Sequence, residues 1–249
     1  MSFVMTVSPD FSPDHIAGWY IFNTWLQRQL DIPIHLELYN NFDAQRKAIA
    51  NDEIDLIYAN PFDAAILVRE KGFTAIAAPA NSADEAVIAV KEDSTINNIE
   101  ELKENTRIAT TDDPDVNMVG MIMLEPADLN KDNTATTLVD SYPLVAKQLL
   151  QGNADVGFFL DEAFDNLSRL VKEQMRPLIR SEIFVIRHVL LAGPKLEEKH
   201  PALKQVLDNM PNDEKGPGVL KSLGIESWDM QEHEDTEFMI DLMDTLVVD

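Results

Sequence analysis

The 249-residue chain contains no cysteine. Disulfides, thiol catalysis and thiolate-bound metals are therefore excluded, while the redox compartment stays open. Basic residues are scarce. Twenty Lys and Arg face 44 Asp and Glu, giving a formal charge of -24, and such a surface repels nucleic acid and anionic lipid. Neither is expected as a partner. No stretch reaches the roughly 20 apolar residues of a membrane span. The N-terminal MSFVMTVSPDF has neither the basic nor the long apolar region of a secretory signal. Two locations stay open: the cytoplasm, or a periplasmic or other extracytoplasmic site after removal of a signal peptide. Glycine is also sparse, at nine residues, and no GxSxG, Walker A or GxGxxG motif occurs. The five histidines (His15, His35, His188, His200, His233) lack HExxH or comparable ligand spacing. Nucleotide cradles and hydrolase elbows lose support, and no cofactor or metal is expected.

What the chain does have is a 45% hydrophobic content, enough to fill one large core or two small ones. Strand and helix patterns alternate. FVMTV from Phe3 precedes an amphipathic stretch with Ile16, Trp19, Tyr20, Leu26 and Leu30, and IHLELY from Ile34 follows. IDLIYA from Ile54 reads as a buried strand, with Pro61 placed for the first turn of the next helix. AVIAV from Ala86 is apolar throughout, as a central strand should be. From there the pattern restarts with RIAT from Arg107, a helix from about Asn117 and TTLV from Thr136.

A repeat strengthens this division. NFDAQRKAIANDEIDLIYANPFDAA from Asn41 and SYPLVAKQLLQGNADVGFFLDEAFD from Ser141 share one pattern at an offset of 100 residues, with Lys47 matching Lys147 and Asp55 matching Asp155. IFVIRHVLLAG from Ile183 returns the chain before a tail that reads as wholly helical. The fold expected is α/β, two similar βαβ lobes joined by two crossover segments: 1–85 plus 190–249 in one lobe, 86–189 in the other. Strand-to-helix loops of both lobes would then face one shared cleft.

With that layout, three blocks carry a family resemblance: IDLIYANPFDAAILVREKGF from Ile54, AVIAVKEDSTINNIEELKENTRIAT from Ala86 and DSYPLVAKQLLQGNADVGF from Asp140. The tail HPALKQVLDNMPNDEKGPGVLKSLGI from His200 adds to them. The chain resembles the substrate-binding proteins of ABC transporters for phosphate, phosphite and phosphonates, within the type 2 periplasmic-binding fold. The resemblance implies ligand contacts after the second strand, at Tyr39, and after the third, at Asn60 and Phe62. It also implies a Ser-Thr-Ser segment at a helix start holding phosphoryl oxygens. The corresponding residues here are Asp115, Val116 and Asn117, within TTDDPDVNM, which also supplies Thr111. Where the family frequently has His, this chain has Tyr142.

The remaining candidates each carry a plainer reading. Ser8, Phe11 and Ser12 in the first loop can contact a ligand, although Ser12-Pro13-Asp14 also reads as an N-cap and first turn. Asp112, Asp113 and Asp115 lack the Gly turn and distal Glu of a calcium loop, and as carboxylates they would repel an anion. Asp161 can bind an ammonium group or a sugar hydroxyl, or cap a helix. Arg187 and His188 can neutralise a ligand carboxylate or a cleft Asp, or face water.

The leading expectation is a monomeric solute-binding protein that closes two lobes on a small-molecule ligand other than phosphate or a simple phosphonate. It would be neutral or cationic with an apolar part. The partner is an ABC permease or a sensor. The alternatives are a cytoplasmic enzyme on the same fold, resembling those of menaquinone or thiamine-precursor synthesis, or a sensory module. For the enzyme, only Asp10 with His188, or Asp161 with Tyr142, offers a defensible pairing. Replacing Asn60 and Tyr142 together by Ala is expected to weaken binding with the melting temperature nearly unchanged.

Overall fold

The computed structural model describes residues 2–11, 13–80 and 83–246. The chain forms two compact units, one of residues 1–82 and 187–242, the other of residues 83–186 and 243–249.

The first unit opens with β1 (Phe3–Val7), α1 (Ile16–Leu30), β2 (Ile34–Leu36), α2 (Phe42–Ala50), β3 (Leu56–Ala59), α3 (Pro61–Lys71) and β4 (Thr74–Pro79). Trp19, Phe22 and Leu26 recur at helical spacing on α1 and are buried against Met5, Val7 and Leu56 of the strands. The apolar stripe thereby fixes which face of α1 meets the sheet. Asn41 and Asn60 cap α2 and α3 by accepting the Ala44 and Asp63 amides, and Pro61 occupies a first-turn position where no amide is needed.

The second unit contains β5 (Ala86–Lys91), β6 (Arg107–Thr110), α4 (Pro114–Met123), β7 (Ala135–Leu138), α5 (Tyr142–Leu150), β8 (Val156–Leu160), α6 (Asp161–Asp165), α7 (Arg169–Lys172) and β9 (Met175–Arg180). Its core gathers Val87, Ala89, Val145, Leu149 and Phe159. The chain then returns to the first unit with β10 (Val189–Ala192), α8 (His200–Asp208), α9 (Gly216–Leu223), β11 (Trp228–Met230) and most of α10 (His233–Leu246), which from Met243 onward belongs to the second unit.

The sheet orders are β11-β4-β10-β3-β1-β2 and β7-β6-β8-β5-β9. In the first sheet β1, β2 and β3 are parallel, while β10 enters antiparallel between β3 and β4. In the second, β6, β7 and β8 are parallel and β5 is antiparallel to both of its neighbours. The alternation read from the sequence thus gives mixed α/β sheets. Two details differ from expectation. The tail is not wholly helical, because Trp228–Met230 pairs with β4. Only four residues of IFVIRHVLLAG form a strand, since the segment before Val189 crosses between units. Among the described residues, no helix is long and apolar enough to cross a membrane.

Candidate functional site

In the first unit, β1 and β3 run parallel, so their carboxyl ends, Val7 and Ala59, lie at one edge of the sheet. Antiparallel β10 starts there, with Val189 opposite Ala59. Topology alone therefore brings Ser8, Asp10, Asn60 and His188 together from distant parts of the chain. Asn60 uses its whole side chain: Oδ1 accepts the Asp63 amide at 2.7 Å, and Nδ2 donates to Ser8 Oγ at 3.1 Å and Asp63 Oδ2 at 3.0 Å. Arg46 of α2 completes the group, its Nε donating to Asp63 Oδ1 at 2.7 Å while its guanidinium lies 5.0 Å from the Phe42 and Phe62 ring centres.

Beside this network His188 Nε2 lies 3.1 Å from Asp10 Oδ1, both side chains nearly buried, and its ring stacks on Tyr58 with centroids 5.2 Å apart. Burial pushes the Asp10 carboxyl up, but the charge and hydrogen bond of His188, with Ser8, hold it below the usual carboxylate value. Phe11 packs against the core, and Phe62 is largely exposed. Tyr39 is half-buried, and its phenol is pushed up by burial and by Glu37 and Glu53. Arg187 donates to Asp229 Oδ2 at 3.3 Å. Ser12 lies outside the described residues.

In the second unit the carboxyl ends of parallel β6, β7 and β8 share one edge. Asp113 is the N-cap of α4, and its Oδ1 accepts the amides of Asp115 at 3.1 Å and Val116 at 3.2 Å. Tyr142 Oη donates to the other oxygen, Asp113 Oδ2, at 2.8 Å. The Asn117 amide donates to the Asp113 carbonyl, and Asn117 Nδ2 donates to the Thr111 carbonyl at 2.9 Å. Asp115 and Thr111 are buried. At the same edge, Arg180 ends β9 and bonds both Asp161 and Asp165, its guanidinium 5.4 Å from the Phe164 ring centre.

The structure therefore gathers Ser8 and Asn60 in one network and Thr111, Asp115, Asn117 and Tyr142 in another. Asp161, a candidate for binding an ammonium group, holds Arg180, and the Tyr142 hydroxyl donates its hydrogen bond to Asp113. The expectation for the double replacement of Asn60 and Tyr142 is corrected, because Asn60 is fully buried and caps α3. Losing a cap and a buried bond costs about 1–2 kcal/mol. Sequence reasoning passed over Arg46, Asp63 and Arg180. The scarcity of basic residues was the available signal, since two of the few arginines sit beside strand-end carboxylates. Among the described residues, no group of three or more His, Asp or Glu is placed to hold a metal ion.

A family model for the periplasmic substrate-binding proteins of phosphonate ABC transporters matches residues 5–236. No curated protein matches the sequence. Among solved structures, PhnD1 from Prochlorococcus marinus in complex with methylphosphonate is similar at a TM-score of 0.82 and 15% identity, covering 98% of each chain. XAC2383 from Xanthomonas citri, bound to chloride, is similar at 0.81 and 15%, covering 98% of this chain and 97% of that one. The aliphatic sulphonate-binding protein SsuA from Escherichia coli is similar at 0.65 and 13%, covering 98% and 87%. The fold these share is that of type 2 periplasmic binding proteins.

Proposed function

Because the chain belongs to the family of periplasmic substrate-binding proteins of phosphonate ABC transporters, we propose that it binds a neutral or cationic small molecule with an apolar part, rather than phosphate or a simple phosphonate. The family comprises binding proteins, not enzymes, which sets the enzyme reading aside. Its members work with ABC permeases, so the partner proposed is a permease and the location extracytoplasmic. On this reading the protein acts as a monomer, and the ligand stabilises a closed state by binding it better than the open one.

One observation carries the ligand reading: the start of α4 already has its anion. The Asp115 and Val116 amides and the Tyr142 hydroxyl donate to Asp113, the Asn117 amide donates to the Asp113 carbonyl, and the Asn117 side chain donates to Thr111. A helix N-terminus attracts anions through free amides and its dipole, and here Asp113 takes up both. A second anion about 4 Å from that carboxylate is repelled by about 1–4 kcal/mol at effective dielectrics between those of water and a protein surface. Tyr39, Phe11, Phe62 and Tyr142 would supply apolar contact. Thr111, Asp115, Asn117, Asp161 and Arg187 would orient the ligand, and Ser8 and Asn60 would hold the first unit's loops in place.

Calorimetry with phosphate, methylphosphonate and an alkanesulfonate checks this. The unaltered protein is expected to bind each more weakly than about 1 mM. Asp113→Ser, which removes the internal anion but keeps a cap, should tighten methylphosphonate binding at least about tenfold. Micromolar affinity of the unaltered protein for phosphate would overturn the reading.

A further inference from the structure

The chain passes from the first unit to the second between residues 82 and 83, returns between Ile186 and Arg187, and joins the second again from Met243. The two crossover segments are side by side on the second unit. The Ser181 amide donates to the Ala86 carbonyl at 2.9 Å, and the Asp84 amide to the Ile186 carbonyl at 2.7 Å. These bonds extend the β5–β9 ladder beyond Val87 and Arg180. Between them the segments do not match, because Glu85 alone faces four residues, 182 to 185. Such a bulge strands backbone amides that the ladder would otherwise pair.

The Glu85 side chain takes the place of the missing strand. Its Oε1 accepts the Ile183 amide at 2.8 Å and the Phe184 amide at 2.7 Å, and its Oε2 accepts the Ser181 hydroxyl. Ser181 Oγ in turn accepts the Ala86 amide at 2.8 Å. The bulge so held is strained: Phe184 has φ +60°, a left-handed conformation that a bulky side chain adopts at a cost. Its ring is also 72% exposed, so apolar burial does little to hold it there. The carboxylate is what holds this turn.

We propose that Glu85 is a clamp that makes the two crossovers one mechanical element, so that the return segment cannot open independently of the outgoing one. The inference rests on the fold and on these bonds, and is independent of the ligand reading. Hydrogen exchange of the unaltered protein, Glu85→Ala and Glu85→Gln, resolved at residues 181–186, tests it. Glu85→Ala should exchange the Ile183 and Phe184 amides at least about tenfold faster, the signature of local opening. Glu85→Gln, which keeps one acceptor oxygen, should fall between. Chymotrypsin should cut after Phe184 faster in Glu85→Ala by a similar factor. The proposal is overturned if both variants exchange at 183 and 184 as the unaltered protein does. It is equally overturned if the acceleration spreads evenly over β5 and β9, since Glu85 would then only stabilise the whole unit.

Discussion

The two repeats, 41–65 and 141–165, are alike at one end of their strands and unlike at the other. At the amino ends of β3 and β8 the same device recurs. The Asp55 amide donates to the Val4 carbonyl at 2.9 Å and the Val4 amide donates back to Asp55 Oδ2 at 2.9 Å. The Asp155 amide donates to the Arg107 carbonyl at 2.8 Å, and the Arg107 amide returns the bond to Asp155 Oδ2 at 2.9 Å. Each carboxylate also meets a cation, Lys195 at 2.9 Å and Arg107 at 2.6 Å. Even the preceding turns agree: Asp52 has φ +56° where Gly152 has +73°.

At the carboxyl ends the likeness stops. Asn60 caps α3 with its side chain, whereas Leu160 at the same place gives α6 no such cap. Arg46 approaches the first unit's carboxylate from a helix, and Arg180 approaches the second's from a strand. The amino-end residues satisfy the backbone of the sheet, which any version of the unit must do. Side chains past the carboxyl ends owe little to the sheet, and ligand sites of α/β folds are built there.

The sharpest way to separate the units is through their packing. An added methyl at Gly18 of α1 would lie 2.0 Å from the Ser222 carbonyl oxygen of α9, a backbone atom, whereas one at Gly120 would meet the Phe158 ring at 2.4 Å. Gly18→Ala should cost about 2–3 kcal/mol and Gly120→Ala less, because a ring can turn more readily than a backbone can move. Trp19, Trp25 and Trp228 all lie in the first unit, so tryptophan fluorescence in urea reads that unit and circular dichroism reads both. Equal losses would show that the two contacts are equally rigid.

The shared device offers a smaller difference. Asp55 is 6% exposed and Asp155 is 35% exposed. Asp55→Ala should therefore cost about 2–3 kcal/mol, and Asp155→Ala about 1 kcal/mol or less, since exposed pairs are screened. Equal costs in the same urea experiment would mean that the backbone bond, and not the ion pair, carries both.

Acid should expose the smallest difference. Asp10 is held below the ordinary value of 3.8 against the opposing effect of burial, chiefly by His188. Asp155 is held below it by its bond to Arg107, against burial. A carboxyl lowered in the folded state contributes stability that is fully present above 3.8 and is lost as pH falls through the lower, folded value. Melting temperatures measured from pH 5 down to about 2 should fall. Asp10→Asn should flatten that fall when it is followed by fluorescence, and Asp155→Asn should leave the fluorescence profile unchanged. A flat profile for the unaltered protein would remove both carboxylates from the account.

The alternation of apolar runs, the repeat and the helix start at Pro61 were legible in the sequence because each is a local property, written within a few residues of where it acts. Periodicity sets a strand or helix, and a Pro just past a strand sets a helix's first turn. Candidate loops could be named for the same reason, since strand ends can be read along the chain. What each side chain does there was decided elsewhere. Asp113 and Tyr142 are 29 residues apart, Arg46 and Asp63 are 17 apart, and Asp10 and His188 are 178 apart. They meet only because parallel strands end at one edge and β10 enters antiparallel beside β3. Glu85 was invisible in sequence for the same reason: its partners are stranded by a bulge 96 to 99 residues away. Local patterns specify elements, whereas the pairing of charges depends on distances between elements that only the assembled sheets define.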